Sequence, residues 1–265
     1  MKTRWLALLL SFVLPLASHG QGAPPAETEP LAQDFPEALV PFLGKQIYEQ
    51  DQRVNVATEM ARTRGIDFAK EQVRGWIVVR DRAAERIRFV REENGAIANA
   101  FEVAFVAGAA PQFRRLAGER LTAAEEGQFR ARLRAMSGVV QPCSTLYGFA
   151  IFDHPQIDAF LIYAIAKPTE PGSVVVGGHY RFVVSRDGNR GISAERLYRI
   201  CITLPASAAA GKQNEGIIIT HLASRRPLES HVYLSFLHRL PIYVDTADGV
   251  RWKVDGLRVE AVGKK

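Results

Sequence analysis

The chain has 265 residues, of which 47% are hydrophobic and 23% are charged. This composition is typical of a globular protein long enough for one large domain or two small ones. The net charge of +6 does not indicate nucleic-acid binding, because arginines are interleaved with acids, as in Arg80-Asp81-Arg82, and such a pattern favours a solvated surface.

The first twenty residues have the pattern of a secretory signal peptide. Lys2 and Arg4 precede an apolar run over residues 5–16, and small residues follow it. The run is shorter than the roughly 20 residues that a membrane-spanning helix needs. We therefore expect cleavage after Gly20, no membrane span in the mature chain, and export to the periplasm or, alternatively, the extracellular space. Residues 21–34 are rich in Pro and Ala without periodicity, which predicts a disordered leader.

The N-terminal half, residues 35–140, is predicted to mix helix and strand. Apolar residues at helical spacing predict a helix that ends at Gly65. An antiparallel meander follows, and Asn94-Gly95 marks the turn between its last two strands. The predicted strands are residues 73–80, 86–91 and 97–106.

A loop is expected over residues 107–117, followed by a second helix. Thr122 and Glu125 fit a capping box at its start, and Gly138 is expected to end it. Two faces are predicted for this helix: an apolar stripe and a solvated basic face. The stripe is Phe129, Leu133 and Met136, and the basic face is Arg130, Arg132 and Arg134.

The C-terminal half, residues 141–265, is predicted to be rich in β-strand. Its main feature is a long hairpin over residues 174–204 with a turn at 187–189, both arms of which carry apolar residues at alternate positions. We expect this hairpin to lie centrally, covered on two sides. The other candidate strands are residues 145–152, 159–166, 216–221, 230–237, 241–245, 250–254 and 257–261.

These elements predict an α+β fold: an N-terminal helix, an antiparallel meander, a second helix and a β-rich C-terminal half. Close strand spacing favours a curled antiparallel sheet, either a sandwich or a partial barrel. One continuous domain over both halves is the alternative to two. Gly177-Gly178 interrupts the hairpin, which indicates a bulge, a bend or a close backbone approach.

The chain has two cysteines, Cys143 and Cys201. Two cysteines in an exported protein predict a disulfide. A catalytic thiol or two buried free thiols are the alternatives, but there is no Cys-x-x-Cys spacing and neither cysteine has a histidine nearby in the sequence.

A metal site is the first alternative for function, because His and Glu are zinc ligands. His221, Glu229, His231 and His238 lie close in sequence, and His179 is available from the hairpin. Their spacing matches no metal motif, so we predict no metal and no cofactor. A metal-dependent hydrolase that uses the first four residues remains the alternative reading.

No serine-hydrolase elbow is present, and acids beside turns indicate surface positions better than a glycosidase pair. Alternation on the predicted strand 230–237 places His231, Tyr233 and Ser235 on one polar stripe, which makes it the first place to look for a ligand groove. The sequence thus favours a non-catalytic exported binding or structural module, with an unknown protein or small ligand as its partner and no nucleic acid.

Overall fold

The computed structural model of the protein describes residues 32–205 and 216–264, which belong to one compact unit spanning Leu31–Lys265. The predicted signal peptide, 1–20, and residues 21–31 of the predicted leader lie outside the described residues. Within them are three α-helices and fourteen β-strands, and the predicted α+β class is confirmed. No helix in this part of the chain is long and apolar enough to cross a membrane.

The N-terminal half contains two helices and a four-stranded sheet. The bounds are α1 Leu39–Thr63, β1 Val73–Arg80, β2 Glu85–Glu93, β3 Ala96–Phe105, β4 Gln112–Arg115 and α2 Ala123–Ser137. Neighbouring strands pair antiparallel in the order β1-β2-β3-β4, so the predicted meander is confirmed. The predicted loop 107–117 is wrong in part, because β4 lies within it and Phe113 packs against the Phe101 ring at 5.6 Å.

Two local signals of the N-terminal half form as predicted. Asn94 and Gly95 have φ of 52° and 74°, the left-handed values that a tight turn between twisted antiparallel strands requires. At the start of α2, the Thr122 hydroxyl accepts from the Glu125 amide at 3.3 Å, and the Glu125 carboxylate accepts from the Thr122 amide at 2.8 Å. This reciprocal pair satisfies two amides that the helix leaves free.

The apolar stripe and the solvated basic face predicted for α2 are both wrong in part. Leu133 and Met136 are 41% and 43% exposed, whereas Arg132 is buried. The reason is the close approach of α2 to the turn that follows the hairpin's first arm: a Cβ at Gly127 would lie 2.2 Å from the Arg186 carbonyl oxygen. This contact sets which face of the helix turns inward.

The central part of the chain forms a four-stranded sheet and a two-stranded ribbon. The bounds are β5 Tyr147–Asp153, β6 Ala159–Ala166, β7 Val174–Val175, β8 Tyr180–Ser185, β9 Gly191–Arg196 and β10 Thr203–Leu204. The sheet order is β5-β6-β8-β9, and β7 pairs with β10. The long hairpin is therefore present, as the pairs β8–β9 and β7–β10, but it is interrupted between them.

The predicted burial of the hairpin's second arm is wrong in part, because Leu197 and Tyr198 are buried but the strand before them is not. The first arm is buried along β8, whereas β9 is the last strand of its sheet and is exposed or half-buried throughout. Ile192 is 45% exposed, and Ile200, beyond β9, is 59% exposed. Alternation predicts a two-faced strand but not its position in a sheet, and a strand at the edge has fewer neighbours to cover it.

The C-terminal part is a βαβ unit followed by a hairpin. The bounds are β11 Ile217–His221, α3 Glu229–His238, β12 Ile242–Thr246, β13 Val250–Asp255 and β14 Arg258–Lys264. β11 pairs parallel with β12, and β12, β13 and β14 pair antiparallel in chain order. The predicted strand 230–237 is therefore wrong: it is the helix α3, which provides the crossover that two parallel strands need.

The central sheet lies between two hydrophobic cores. Alternate residues of β6 contribute to each, which explains why every residue of this strand is buried. The first core also contains apolar residues from the start of α1, from α3 and from the C-terminal sheet, and the second contains apolar residues from the meander and α2. From β6, Leu161, Tyr163 and Ile165 belong to the first core, and Phe160, Ile162 and Ala164 to the second.

A disulfide joins Cys143 to Cys201, with Cα atoms 5.3 Å apart, so this prediction is confirmed. The interrupting glycines lie beside it. A Cβ at Gly178, where φ is +84°, would lie 2.3 Å from Cys143 Cβ, and one at Gly177 would lie 2.2 Å from the Ile200 carbonyl oxygen. The predicted close backbone approach is therefore present at Gly177, whereas Gly178 has a positive φ and lies against the Cys143 side chain.

Candidate functional site

The structure brings two of the four candidate metal ligands into contact. His221, at the end of β11, and His231, in the first turn of α3, are both buried, and their rings lie 4.5 Å apart at 85°. Glu229 begins α3 and His238 ends it. Among the described residues no group of three or more His, Cys, Asp or Glu side chains is placed to hold a metal ion.

Hydrogen bonds within the fold occupy one nitrogen of each of these histidines. The Ser224 hydroxyl donates its hydrogen to the Arg226 carbonyl. Its oxygen can therefore only accept from His221, so His221 Nε2 is the donor to Ser224 Oγ, at 2.8 Å. His231 Nδ1 accepts from the Leu228 amide at 2.8 Å, as the third helical residue does in a capping box. Each imidazole is thus a neutral donor or acceptor to its own loop.

Burial lowers the pKa of these buried histidines, because the charged form loses its hydration. The pKa of His221 falls to about 4, with the nearby Arg199 charge adding to the effect. The pKa of His231 lies well below the ordinary value. His179, the further ligand suggested by the sequence, accepts from the Ala166 amide at 3.1 Å, and burial likewise lowers its pKa to about 4.

The prediction that His231, Tyr233 and Ser235 share one polar stripe is wrong, because the strand that would have placed them there is the helix α3. All three side chains are buried and engage other parts of the protein. Ser235 Oγ donates to the Leu240 carbonyl and accepts from the Gly256 amide, both at 2.9 Å. Successive alternate residues of a helix point about 200° apart, so no shared stripe forms.

A buried arginine that the sequence reading did not single out organises the first core. Arg181, on β8, donates to Glu229 at 2.9 Å and to Glu195 at 2.6 Å. Burial raises the pKa of Glu229, although the charge of Arg181 opposes this. Tyr163 is also buried here, and burial together with the charge of Glu229 raises its pKa well above the ordinary value. A charge within the apolar arm Tyr180-Arg181-Phe182 was the signal for such a site, since a buried charge needs partners.

The same arginine holds the start of the described chain. Its guanidinium also donates to the Gln33 carbonyl and lies 4.7 Å from the Phe35 ring centroid. The Gln33 amide donates to Glu195 at 3.0 Å, and the Ala32 amide donates to the Ala223 carbonyl at 2.7 Å. Residues 32–34 are therefore attached to the fold, which corrects the last three positions of the predicted disordered leader.

A second buried group joins both long helices to the central sheet. Lys167 Nζ, just after β6, donates to Asp51 of α1 at 2.5 Å and to the Tyr233 hydroxyl of α3 at 2.9 Å. The Tyr233 hydroxyl donates to Asp51 at 3.1 Å. Burial and the charge of Asp51 raise the pKa of Tyr233 well above its ordinary value, so this phenol stays protonated and cannot serve as a general base near neutral pH.

A surface groove lies elsewhere, between the end of α2 and the edge strand β9. Its apolar floor extends the second core outward, from buried side chains of β8 to exposed ones of β9, and α2 forms its wall. The lining residues are Arg134, Ser137, Gly138, Phe182, Val184, Gly191, Ile192, Ser193 and Ala194. We call this the α2–β9 groove.

The groove exists because α2 covers β8 but not β9. The end of the helix packs directly on β8: a Cβ at Gly138 would lie 2.6 Å from Phe182 Cε1. Beyond this contact, Ile192 is exposed within the groove, whereas the exposed α2 residues Leu133 and Met136 lie outside its lining. Exposed apolar side chains in a contiguous groove mark an interaction surface more often than scattered ones do. The edge position of β9, which alternation does not encode, kept this surface from being predicted.

No protein-family model, curated protein or solved structure matches the chain.

Proposed function

We propose that the protein is an exported, non-catalytic binding module that contacts its partner through the α2–β9 groove. The observation that supports this proposal most directly is that the groove is exposed whereas the polar clusters are buried. The groove lies at a sheet edge and exposes the apolar Ile192. By contrast, Arg181, Glu229, His221 and His231 are buried, and each makes at least one hydrogen bond within the fold. A catalytic group must reach its substrate, and a binding surface must be exposed.

Export supports this reading. The disulfide between Cys143 and Cys201 is of the kind that persists in oxidising compartments, and the amino-terminal segment has the charge and hydropathy of a signal peptide. We propose cleavage after Gly20 and location in the periplasm.

Site-specific photo-crosslinking tests the binding surface. A photoreactive phenylalanine replaces Ile192 in the groove or, as the matched control, Ile218, which is an exposed isoleucine on the edge strand of the C-terminal sheet. After irradiation of cells that secrete the protein, we expect adducts from position 192 and few from position 218. Equal adducts at both positions, or none at position 192, would contradict the proposal.

Metal analysis tests the hydrolase alternative. We expect the purified mature protein to carry no stoichiometric zinc. Stoichiometric zinc that is lost in a folded His231→Ala variant would instead support metal-dependent hydrolysis at the His221–His231 pair.

A further inference from the structure

The backbone of β9 has a defined outward side. The Leu197 amide donates to the His179 carbonyl at 2.9 Å. In an antiparallel ladder, bonded and non-bonded residue pairs alternate, and Glu195 and Ser193 lie opposite Arg181 and Val183. The backbone groups of Glu195 and Ser193 therefore point toward β8.

The next position in this alternation points the other way. Ala194 lies opposite Phe182, in a pair whose N–H and C=O groups face away from each other. Within the described residues β9 pairs only with β8, so the outward amide and carbonyl of Ala194 lie at the mouth of the groove. An added strand would take its first hydrogen bonds from them.

The side chains at this edge fit the same geometry. Ile192 and Ala194 lie on the side of the groove, above the floor formed by Phe182 and Val184. A strand laid beside β9 would lie two strand spacings, about 10 Å, from β8, so every second side chain would face the α2 side and pack against Ile192 and Ala194. The edge is thus suited to apolar residues at alternate positions of an extended chain.

The charge of the edge favours a partner with carboxylates. Arg134 lines the groove, and Arg190 is exposed immediately before β9. A second copy of the chain would bring a second Arg190 to this edge, and like charges brought together across strands are unfavourable. An acidic segment of another protein meets opposite charges there.

We propose that β9 accepts an extended segment of a partner protein as an additional strand of the central sheet, with apolar side chains at alternate positions against Ile192 and Ala194 at the outer side of the α2–β9 groove and a carboxylate beside Arg134 or Arg190. This inference rests on the proposed function and names the class of partner.

The probe is a phage-displayed library of random linear peptides, selected on the full mature protein. We expect enriched peptides with alternating apolar residues and at least one acid. When such a peptide binds, hydrogen exchange measured by NMR should slow at the Ala194 amide. The Ser193 and Glu195 amides, already bonded to β8, should change little.

Two variants at one position test the hydrogen bonds directly. Ala194→Pro removes only the outward N–H, which an edge strand tolerates, and should weaken peptide binding by about tenfold or more. Ala194→Ser keeps the N–H and should bind as the wild type does. If Ala194→Pro fails to fold, the exchange measurement on the wild type still decides.

Three outcomes would overturn the inference. Peptides that bind without protecting the Ala194 amide would occupy the groove in another conformation, and the binding function would stand. Crosslinks from position 192 without any enriched peptide would exclude a linear partner segment. A concentration-dependent dimer that Ala194→Pro abolishes would make a second copy of the chain the occupant. The absence of crosslinks at position 192, by contrast, would remove the proposed function itself.

Discussion

Arg132 lies in the interior with its guanidinium 5.1 Å from the Trp76 ring centroid and 5.2 Å from that of Phe149. Its Nε and Nη1 atoms have no hydrogen-bond partner among the described residues. Burial lowers the pKa of Arg132 to about 10. Contact with two aromatic faces stabilises the cation, but the lost hydration of the unpaired nitrogens opposes this.

We expect Arg132→Met to raise the free energy of unfolding by about 1 kcal/mol, because an apolar side chain of similar length removes the cost of burying an unsatisfied charge. Urea denaturation measures the change. The control is Arg130→Met on the same helix, whose guanidinium pairs with Glu126 at the surface and whose loss should change stability by less than about 0.5 kcal/mol. A clear loss of stability in Arg132→Met would mean that the aromatic contacts outweigh desolvation.

The buried histidines make stability depend on pH. The pKa of His221 is about 4 in the folded protein and about 6.5 in an unfolded chain. Between these values the unfolded chain binds a proton that the folded protein does not, so stability is complete above about pH 6.5 and is lost as the pH falls toward about 4.

We expect the free energy of unfolding to fall by about 2 kcal/mol more in the wild type than in His221→Phe when the pH is lowered from about 7 to about 5. Urea denaturation at the two pH values measures this difference. His154→Phe is the control: His154 is only partly buried and its pKa is lowered by burial, so most of the pH dependence should remain. Equal pH dependence in His221→Phe and the wild type would show that His221 titrates normally.

At the scale of elements, α3 illustrates a limit of pattern reading. Every residue from Glu229 to Ser235 is buried, so the sequence lacks the polar face that gives a helix its period. Alternation of His231, Tyr233 and Ser235 with apolar residues then imitates a strand. Contacts with α1, where a Cβ at Gly44 would lie 2.4 Å from Val232 Cβ, belong to the tertiary structure alone.

The hydrogen-bonded group of Asp51, Lys167 and Tyr233 links α1 and α3 to the central sheet. We expect Asp51→Ala to lower the free energy of unfolding by about 3 kcal/mol, because it leaves Lys167 without its carboxylate, and Tyr233→Phe to lower it by about 1 kcal/mol. Urea denaturation of both variants and of an Asp51/Lys167 double-mutant cycle measures the coupling.

Lys45→Ala is the matched control, because Lys45 pairs with Glu49 on the exposed side of α1 at 3.1 Å. Its effect should stay below about 0.5 kcal/mol. If Asp51→Ala were no more destabilising than Lys45→Ala, the buried group would not fasten the helices.

At the scale of the molecule, the disulfide closes a separation of 58 residues that includes all four strands of the central sheet. In the chain-entropy account, such a cross-link stabilises the fold by about 4 kcal/mol at most. We expect the double variant Cys143→Ser, Cys201→Ser to be less stable by about 2–4 kcal/mol in urea denaturation. Reduction of the wild type should give the same value, and two free thiols in the purified protein under non-reducing mass analysis would contradict the bond.

The two halves of the chain share their cores. The second core combines Ala57 and Phe101 from the first half with Phe149, Ile162 and Phe182 from the second, so the meander packs against the central sheet. Near residue 140 the chain changes from mixed helix and strand to mostly strand. Apolar side chains from both sides of this boundary nevertheless pack in one core.

The sequence by itself determined the features that depend on neighbours along the chain. The capping box at Thr122, the turn at Asn94-Gly95 and the bounds of β6 follow from side chains a few positions apart. The disulfide follows from there being only two cysteines in the chain. For the first three features the physical cause lies within a few residues of the feature. For the disulfide, the chain offers no other pair of cysteines.

Only the tertiary structure decided which elements lie in the middle and which lie at the edge. Glu229 and Gln33 reach Arg181 from 48 and 148 positions away, and no local pattern encodes that convergence. The same holds for the α2–β9 groove, which exists because α2 ends before it covers β9. Whether a residue is buried depends on which other elements cover it, and the packing of the whole chain determines which elements those are.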